Sequence, residues 1–399
     1  MWAGYRYFDY LCGVSYFFII IMRKFISFLA CIGLVAMAAG AQELSNFSFG
    51  RGQRVVSPEI NGAKTTFRIK ADTANSINLV GNWMETPDSP GVPMTKGAEG
   101  MWEVTIDTPS PEIYTYSFVV DGVAMNDPLN VFVQRDGNRY LSMLTVPGER
   151  SENYKEAGKH GTVAHRWYHS DILGMDRRLT VYTPAGYEEG NGNYPVLYLL
   201  HGAGGDEEAW SSMGRAAQIL DNLIEKGLAE PMICVMPNGN PNQMAAQTLG
   251  MTVAEYDRND PAMRNAYVRS LCEEIVPFTE KNYRADSRPE KRAIAGLSMG
   301  GAHTIAASSL YPELFDYICP LSAAGAITPE QAKGLKDAGV KLYWQACGNT
   351  DFLWDRNMEI KKALEDAQMD NYVFFESDGG HVWSNWRYYL NNFAPLLFK

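Results

Sequence analysis

Arg292-Ala293-Ile294-Ala295-Gly296-Leu297-Ser298-Met299-Gly300-Gly301 is the stretch on which the fold turns. Residues 292–295 form a short apolar run of the kind that makes a buried strand. Residues 302–309 have the spacing of a helix. A Gly-x-Ser-x-Gly string alone is a weak signal, but between a strand and a helix it reads as a nucleophile elbow. That turn is so tight that only glycine tolerates the close neighbours, and it leaves the Ser298 hydroxyl exposed at the helix N-terminus.

Outward from the elbow, apolar runs at 196–200, 232–236, 317–321, 342–346 and 372–375 alternate with helical spacing at 216–226, 263–283 and 357–368. Strands apolar on both faces, alternating with helices, predict a mostly parallel sheet covered on both sides. Two strands near 163–170 and 177–183 come first and are expected to pair antiparallel. The predicted class is α/β, with an α/β-hydrolase arrangement over 161–399.

An activated serine needs a base and an acid, in the chain order Ser, acid, His for this fold. Of six histidines, only His303 and His381 follow Ser298. His303 lies one turn into the helix, on the wrong side for a proton relay. His381 follows a strand in Asp378-Gly379-Gly380-His381, where the base belongs. The acid is expected after the strand near 342–346, at Asp351. Asp355 and Asp378 are the rivals, one too far out and one too close in sequence to His381. Two N–H donors for an oxyanion are expected from Met299 and from Ala203, within Leu200-His201-Gly202-Ala203-Gly204-Gly205. His201 then holds that loop. Trp210, Trp354, Trp383 and Trp386 are candidate walls of a substrate pocket. The polar segment 241–264 follows a strand end and is expected to border the cleft.

The first half reads differently. Short alternating runs at 65–70, 76–80, 101–106 and 114–120, the last ending in Asp121-Gly122, predict an all-β immunoglobulin-like sandwich over 42–147. About 100 residues is the size of one such sandwich. Residues 148–160 are polar and read as a linker. Trp83 is a candidate sugar platform, while Trp102 alternates inward.

The chain has 399 residues, 46% of them hydrophobic and 20% charged, values of a globular protein. Met22-Arg23-Lys24, the apolar run 25–37 and Ala39-Gly40-Ala41 have the order of a secretory signal. Met22 is then the expected start, with cleavage after about residue 41 and a secreted or periplasmic product. The net charge is −11; residues 1–41 carry +2, so the remainder carries −13. An acidic chain without a basic run suits neither nucleic acid nor an anionic membrane. Cys234, Cys272, Cys319 and Cys347 remain after the leader. Without CxxC or Cys/His metal spacing they read as buried free thiols, and no metal site is expected.

Residues 165–399 resemble the feruloyl and acetylxylan esterases of carbohydrate esterase family one, in the esterase D-like group of α/β-hydrolases. The likeness rests on Arg177-Arg178-Leu179-Thr180-Val181-Tyr182-Thr183-Pro184-Ala185-Gly186-Tyr187, Tyr198-Leu199-Leu200-His201-Gly202-Ala203-Gly204-Gly205, the elbow, Ala346-Cys347-Gly348-Asn349-Thr350-Asp351 and Gly379-Gly380-His381. The first half resembles the carbohydrate-binding module that precedes isoamylases and glycogen-branching enzymes, through Ser76-Ile77-Asn78-Leu79-Val80-Gly81-Asn82-Trp83, Gly100-Met101-Trp102-Glu103-Val104 and 114–122. The resemblance implies a cofactor-free serine esterase that releases ferulate or a related hydroxycinnamate from xylan or xylo-oligosaccharides. An acetylxylan esterase is the nearest alternative. A siderophore esterase and a non-catalytic glycan-binding protein are more distant ones.

Overall fold

The computed structural model describes residues 55–84, 89–246 and 265–399. The expected leader, with Met22 and the cleavage point, lies outside them, as does 247–264 of the segment expected to border the cleft.

The first ten strands are β1 (Glu59–Asn61), β2 (Lys64–Lys70), β3 (Ile77–Gly81), β4 (Val92–Pro93), β5 (Thr95–Lys96), β6 (Met101–Asp107), β7 (Ile113–Val120), β8 (Val123–Met125), β9 (Val133–Asp136) and β10 (Arg139–Thr145). They make two antiparallel sheets, ordered β1-β2-β6-β5 and β4-β3-β7-β10-β9, with β8 also paired to β7. Period-two alternation sends one side of each strand inward. Phe67 and Ile69 of β2, Ile77 and Leu79 of β3, and Tyr116 and Phe118 of β7 share one core. Trp102 is buried there too, its Nε1 donating to the Ala71 carbonyl at 3.0 Å.

The third sheet has eight strands: β11 (Thr162–Ser170), β12 (Met175–Thr183), β13 (Val196–Leu200), β14 (Ile233–Pro237), β15 (Arg292–Leu297), β16 (Tyr317–Leu321), β17 (Leu342–Gly348) and β18 (Tyr372–Ser377). Their order is β11-β12-β14-β13-β15-β16-β17-β18. β11 and β12 pair antiparallel, as does β12 with β14; every later pair is parallel. Every residue of β13, β14, β15 and β16 is buried. The reason is that both faces are covered. Leu197 and Leu199 point toward helices α2 (Ala216–Glu225) and α7 (Trp383–Phe393), meeting Ile219, Leu223 and Phe393. Val196, Tyr198 and Leu200 face the other layer, with Ile275, Ile305, Leu335 and Ile360. That layer holds α3 (residues 266–282, with a π turn at Leu271–Ile275), α4 (Met299–Leu310), α5 (Pro329–Asp337) and α6 (Trp354–Asp366). The short α1 (Ala209–Ser212) follows β13. Cys234, Cys272, Cys319 and Cys347 are buried and unpaired.

Residues 148–160 are packed rather than a free tether. Tyr154 is buried among α2 and α7 residues, and its carbonyl accepts from Arg215 Nε at 3.0 Å. Arg387 of α7 ties the first two sheets to the third. It is 2% exposed, with Nε on Glu112 Oε1 at 3.0 Å, Nη1 on the Met213 carbonyl at 2.6 Å and Nη2 on the Ile113 carbonyl at 2.9 Å. Removing one member of a buried ionic network leaves its partners desolvated and unpaired. Arg387→Met is therefore expected to cost about 3 kcal/mol of stability or more. Urea unfolding measures it, and a loss below about 1 kcal/mol would show that Arg150, the other partner of Glu112, suffices.

Candidate active site

Because β13, β15, β17 and β18 run parallel, the loops beyond their carboxyl ends gather at one edge of the sheet. Ser298 joins β15 to α4 with φ 54 and ψ −113, a strained conformation for a residue with a side chain. Its N–H donates to the Leu321 carbonyl at 2.9 Å, and its carbonyl accepts from Ala302 and Ala324, each at 3.0 Å. The neighbouring glycines are steric requirements. A Cβ on Gly300 would lie 2.6 Å from the carbonyl oxygens of Leu200 and His201, and one on Gly296 2.4 Å from the Gly300 carbonyl. The β13 end, the elbow and the helix start thus pack backbone to backbone.

Asp351 follows β17, and His381 follows β18. His381 Nδ1 lies 2.9 and 3.0 Å from the two Asp351 carboxylate oxygens. Asp351 is buried, and Oδ1 also accepts from the Leu353 N–H at 2.8 Å. Burial alone would raise its pKa. The bond from His381, the Leu353 N–H and the Ser322 hydroxyl outweigh burial and hold it below the usual carboxylate range. The loop carrying His381 is fixed by Asn385 Nδ2, which donates to the Asp378 and Gly380 carbonyls at 3.0 Å each. Asp378 instead accepts from Asn349 at 3.1 Å, and Asp355 is exposed on α6; neither bonds to His381.

Met299 is the first residue of α4, so its N–H has no partner within the helix. Ala203 is exposed on the turn after β13, which closes with Gly205 N–H on the Gly202 carbonyl at 3.1 Å. His201 is buried beneath the turn. Nδ1 contacts the Gly202 carbonyl at 2.7 Å, and Nε2 accepts from the Gly239 N–H at 2.7 Å. Burial lowers its pKa, so it is neutral and holds two loops together. Asn240 Nδ2 adds a bond to the Gly205 carbonyl at 2.8 Å. Arg177, buried on β12, fixes Asn240 in turn, with Nη2 on the Asn238 and Asn240 carbonyls at 2.6 and 3.0 Å. His303 is partly buried against Tyr267, 4.7 Å between ring centroids, and desolvation of its ring pushes its pKa down to about 3.

Ser298, Ala203, His381, Trp383 and Trp386 line one cavity of about 430 Å³. Ser298 and His381 are not hydrogen-bonded to each other; such contacts often tighten only when substrate binds. Trp386 meets the His381 ring edge-on at 4.9 Å and Trp383 at 5.2 Å. The other two candidate tryptophans lie off this cavity. Trp210 is 1% exposed and spends its N–H on the Leu200 carbonyl at 2.9 Å, packing behind Trp383. Trp354 begins α6 and packs on Phe374. Trp83 is partly buried. Its ring lies over Gly81 and against Phe67, Tyr114 and Tyr116, sealing the core of the first two sheets.

Two contributions escaped the sequence analysis. Phe352 is 76% exposed, its ring centroid 4.5 Å from that of His381. Asn82, just past β3, and Thr115, Arg135, Asp136 and Arg139 of the second sheet also line the cavity. The Asp136-Gly137 pair is a hairpin signal that could have found the β9–β10 turn.

The family model described as "Putative esterase" matches residues 170–396. The endo-1,4-beta-xylanase/feruloyl esterase of Xylanibacter ruminicola is 30% identical over 342 residues, covering 84% of this chain. The chain spans 44% of that relative's length. The CE1 ferulic acid esterase of Anaeromyces mucronatus superposes with a TM-score of 0.53 at 25% identity, over 62% of this chain and 95% of that one. The enterobactin esterase of Shigella flexneri shares the fold, with a TM-score of 0.59 at 17% identity over 84% of this chain and 94% of its own. With more than half its length matched by the family model, and with the elbow and loop geometry just described, the chain belongs to this esterase family of carboxylic ester hydrolases.

Proposed function

We propose that the chain is a secreted serine esterase that releases ferulate or a related hydroxycinnamate from xylan side chains. The observation that carries this reading is the His381–Asp351 pair and the strained Ser298 opening on one tryptophan-walled cavity. Nδ1 of His381 is engaged by Asp351, which leaves Nε2 to take a proton. In the first step Ser298 Oγ attacks the ester carbonyl carbon and its proton passes to His381 Nε2. The Met299 and Ala203 N–H groups hold the oxyanion. Collapse breaks the bond to the sugar oxygen, which leaves with the proton from His381. Water then gives a proton to His381 and attacks the acyl-enzyme. Collapse of that second intermediate frees the acid and returns the proton to Ser298.

The flat indole walls at Trp383 and Trp386 favour an aromatic acyl group over acetate, which needs only a shallow slot. The xylan assignment draws on the name of the Xylanibacter protein, and the ferulate assignment on that name and the Anaeromyces one. Secretion rests on the leader-like order before residue 41. Residues 42–147 are read as an immunoglobulin-like, carbohydrate-binding type of module and 161–399 as the esterase. The two antiparallel sheets with one core support the first of these assignments.

The test is acid release by residues 42–399 from methyl ferulate and from acetylated xylan, side by side. Ferulate release is expected. Acetate alone would move the specificity to the acetylxylan alternative, and no release from either by folded protein would overturn the xylan-ester reading.

A further inference from the structure

The turn that presents Ala203 has its inner side fixed by His201 and Asn240. Its outer side is gripped by a residue 71 positions earlier in the chain, on the β9 strand of the second sheet. Arg135 lays its guanidinium fork along the Asp206 carboxylate, Nη1 on Oδ2 at 2.7 Å and Nη2 on Oδ1 at 2.6 Å. Nη2 and Nε also reach Glu208 Oε2 at 2.9 and 3.2 Å. Side-chain exposure is 11% for Arg135 and 3% for Asp206, so water screens this bidentate pair little. Asp206 is three residues beyond Ala203, and Oδ1 also accepts the Glu208 N–H at 2.9 Å, fixing the entry to α1. The contact continues through the β9–β10 turn. Arg135 Nη1 holds the Gly137 carbonyl at 2.6 Å, and a Cβ on Gly137 would stand 3.0 Å from the Gly204 carbonyl. Ser212 accepts at both ends of the same seam, Oγ from Arg135 N–H at 2.8 Å and its carbonyl from Gln134 Nε2 at 3.2 Å.

We propose that Arg135 is a positioning residue for the oxyanion loop, so that the first two sheets set the geometry of the catalytic centre in the third. The inference rests on the reading of Ala203 as an oxyanion donor. An N–H donor is effective only when already aimed at the place where charge develops, and the cost of re-aiming it falls on the transition state. Substrate binding through the tryptophan walls does not use this N–H. The signature is therefore a fall in kcat with little change in KM.

The experiment compares wild type, Arg135→Ala, Arg135→Lys and, as a control ion-pair break in the first sheet, Arg68→Ala on methyl ferulate. Arg68 pairs with Glu59 and Glu103, away from the cavity. Arg135→Ala is expected to lower kcat roughly 10- to 100-fold with KM within about threefold. Lysine restores the charge but not the fork, so Arg135→Lys should recover part of the loss. Arg68→Ala should keep the wild-type kcat. Affinity for phenylboronic acid, whose tetrahedral serine adduct places an oxygen in the oxyanion site, should fall by the same factor as kcat/KM. Inhibition by free ferulate should not change. Wild-type turnover is measured first: its absence removes the feruloyl esterase reading and this inference together. With an active wild type, a kcat for Arg135→Ala within twofold of it, or a loss confined to KM, overturns the inference alone. Should Arg135→Ala not fold, Arg135→Lys decides, because full kcat in that variant is equally fatal.

Discussion

Ser298→Ala is expected to lower kcat/KM for methyl ferulate by roughly 10⁴- to 10⁶-fold, leaving only what the oxyanion donors and binding supply. The elbow has one hydroxyl at the meeting point of the cavity and the α4 N-terminus, and the proposed mechanism has no second nucleophile. Loss of one hydroxyl should leave the backbone bonds of Ser298 to Leu321, Ala302 and Ala324 in place. Thermal melting should therefore match wild type within a few degrees, about what a ΔΔG of 1 kcal/mol produces. Ferulate release at more than about one hundredth of the wild-type rate would sink the nucleophile assignment.

Asp351→Asn is the second large effect, roughly 10³- to 10⁴-fold in kcat with KM nearly unchanged. The amide can still sit beside the ring, but it offers an N–H where the imidazole needs an acceptor. That selects the wrong tautomer and withdraws the charge that stabilises imidazolium. The substitution has a separate signature in stability. Asp351 is held below its ordinary pKa, so its stabilising contribution is complete above about pH 4 and is lost as pH falls through the folded-state value. The stability difference between wild type and Asp351→Asn should therefore shrink on going from pH 7 to pH 3. A difference that stays constant, or a kcat within tenfold of wild type, would show that this carboxylate does not serve His381.

The parts of the site legible in the sequence share one property: their geometry is local. The Ser298 elbow needs glycine at 296, 300 and 301 because a Cβ would strike backbone, and that demand is written within six residues. Asp351 and His381 could be read because each follows a strand in a parallel sheet, which fixes the edge it emerges from. His201 could be assigned to its loop because it sits inside the Gly-rich turn it supports. The tryptophans lacked such a rule. Trp210, Trp354 and Trp83 are as aromatic as Trp383 and Trp386, yet each found a ring or carbonyl partner away from the cavity. Residues 148–160 read as polar, but the ring of Tyr154 and the carbonyls around it gave Arg215 and α2 something to pack on. Phe352 gave no signal beyond standing next to Asp351.

The sequence by itself determined the order of strands in the second half, four of its helices, the covered parallel sheet, and the three loops that carry Ser298, Asp351 and His381 to one edge of it, but not α1, α5 or α7. Hydrophobic period and turn chemistry act over a few residues, and this information survives in one dimension. Only the tertiary structure decided which tryptophans face the cavity. It also decided that Arg135, Asp136 and Arg139 of an earlier sheet stand beside a loop more than sixty residues later. A bidentate bond such as Arg135–Asp206 depends on how two sheets dock, and no local pattern in either segment encodes that docking.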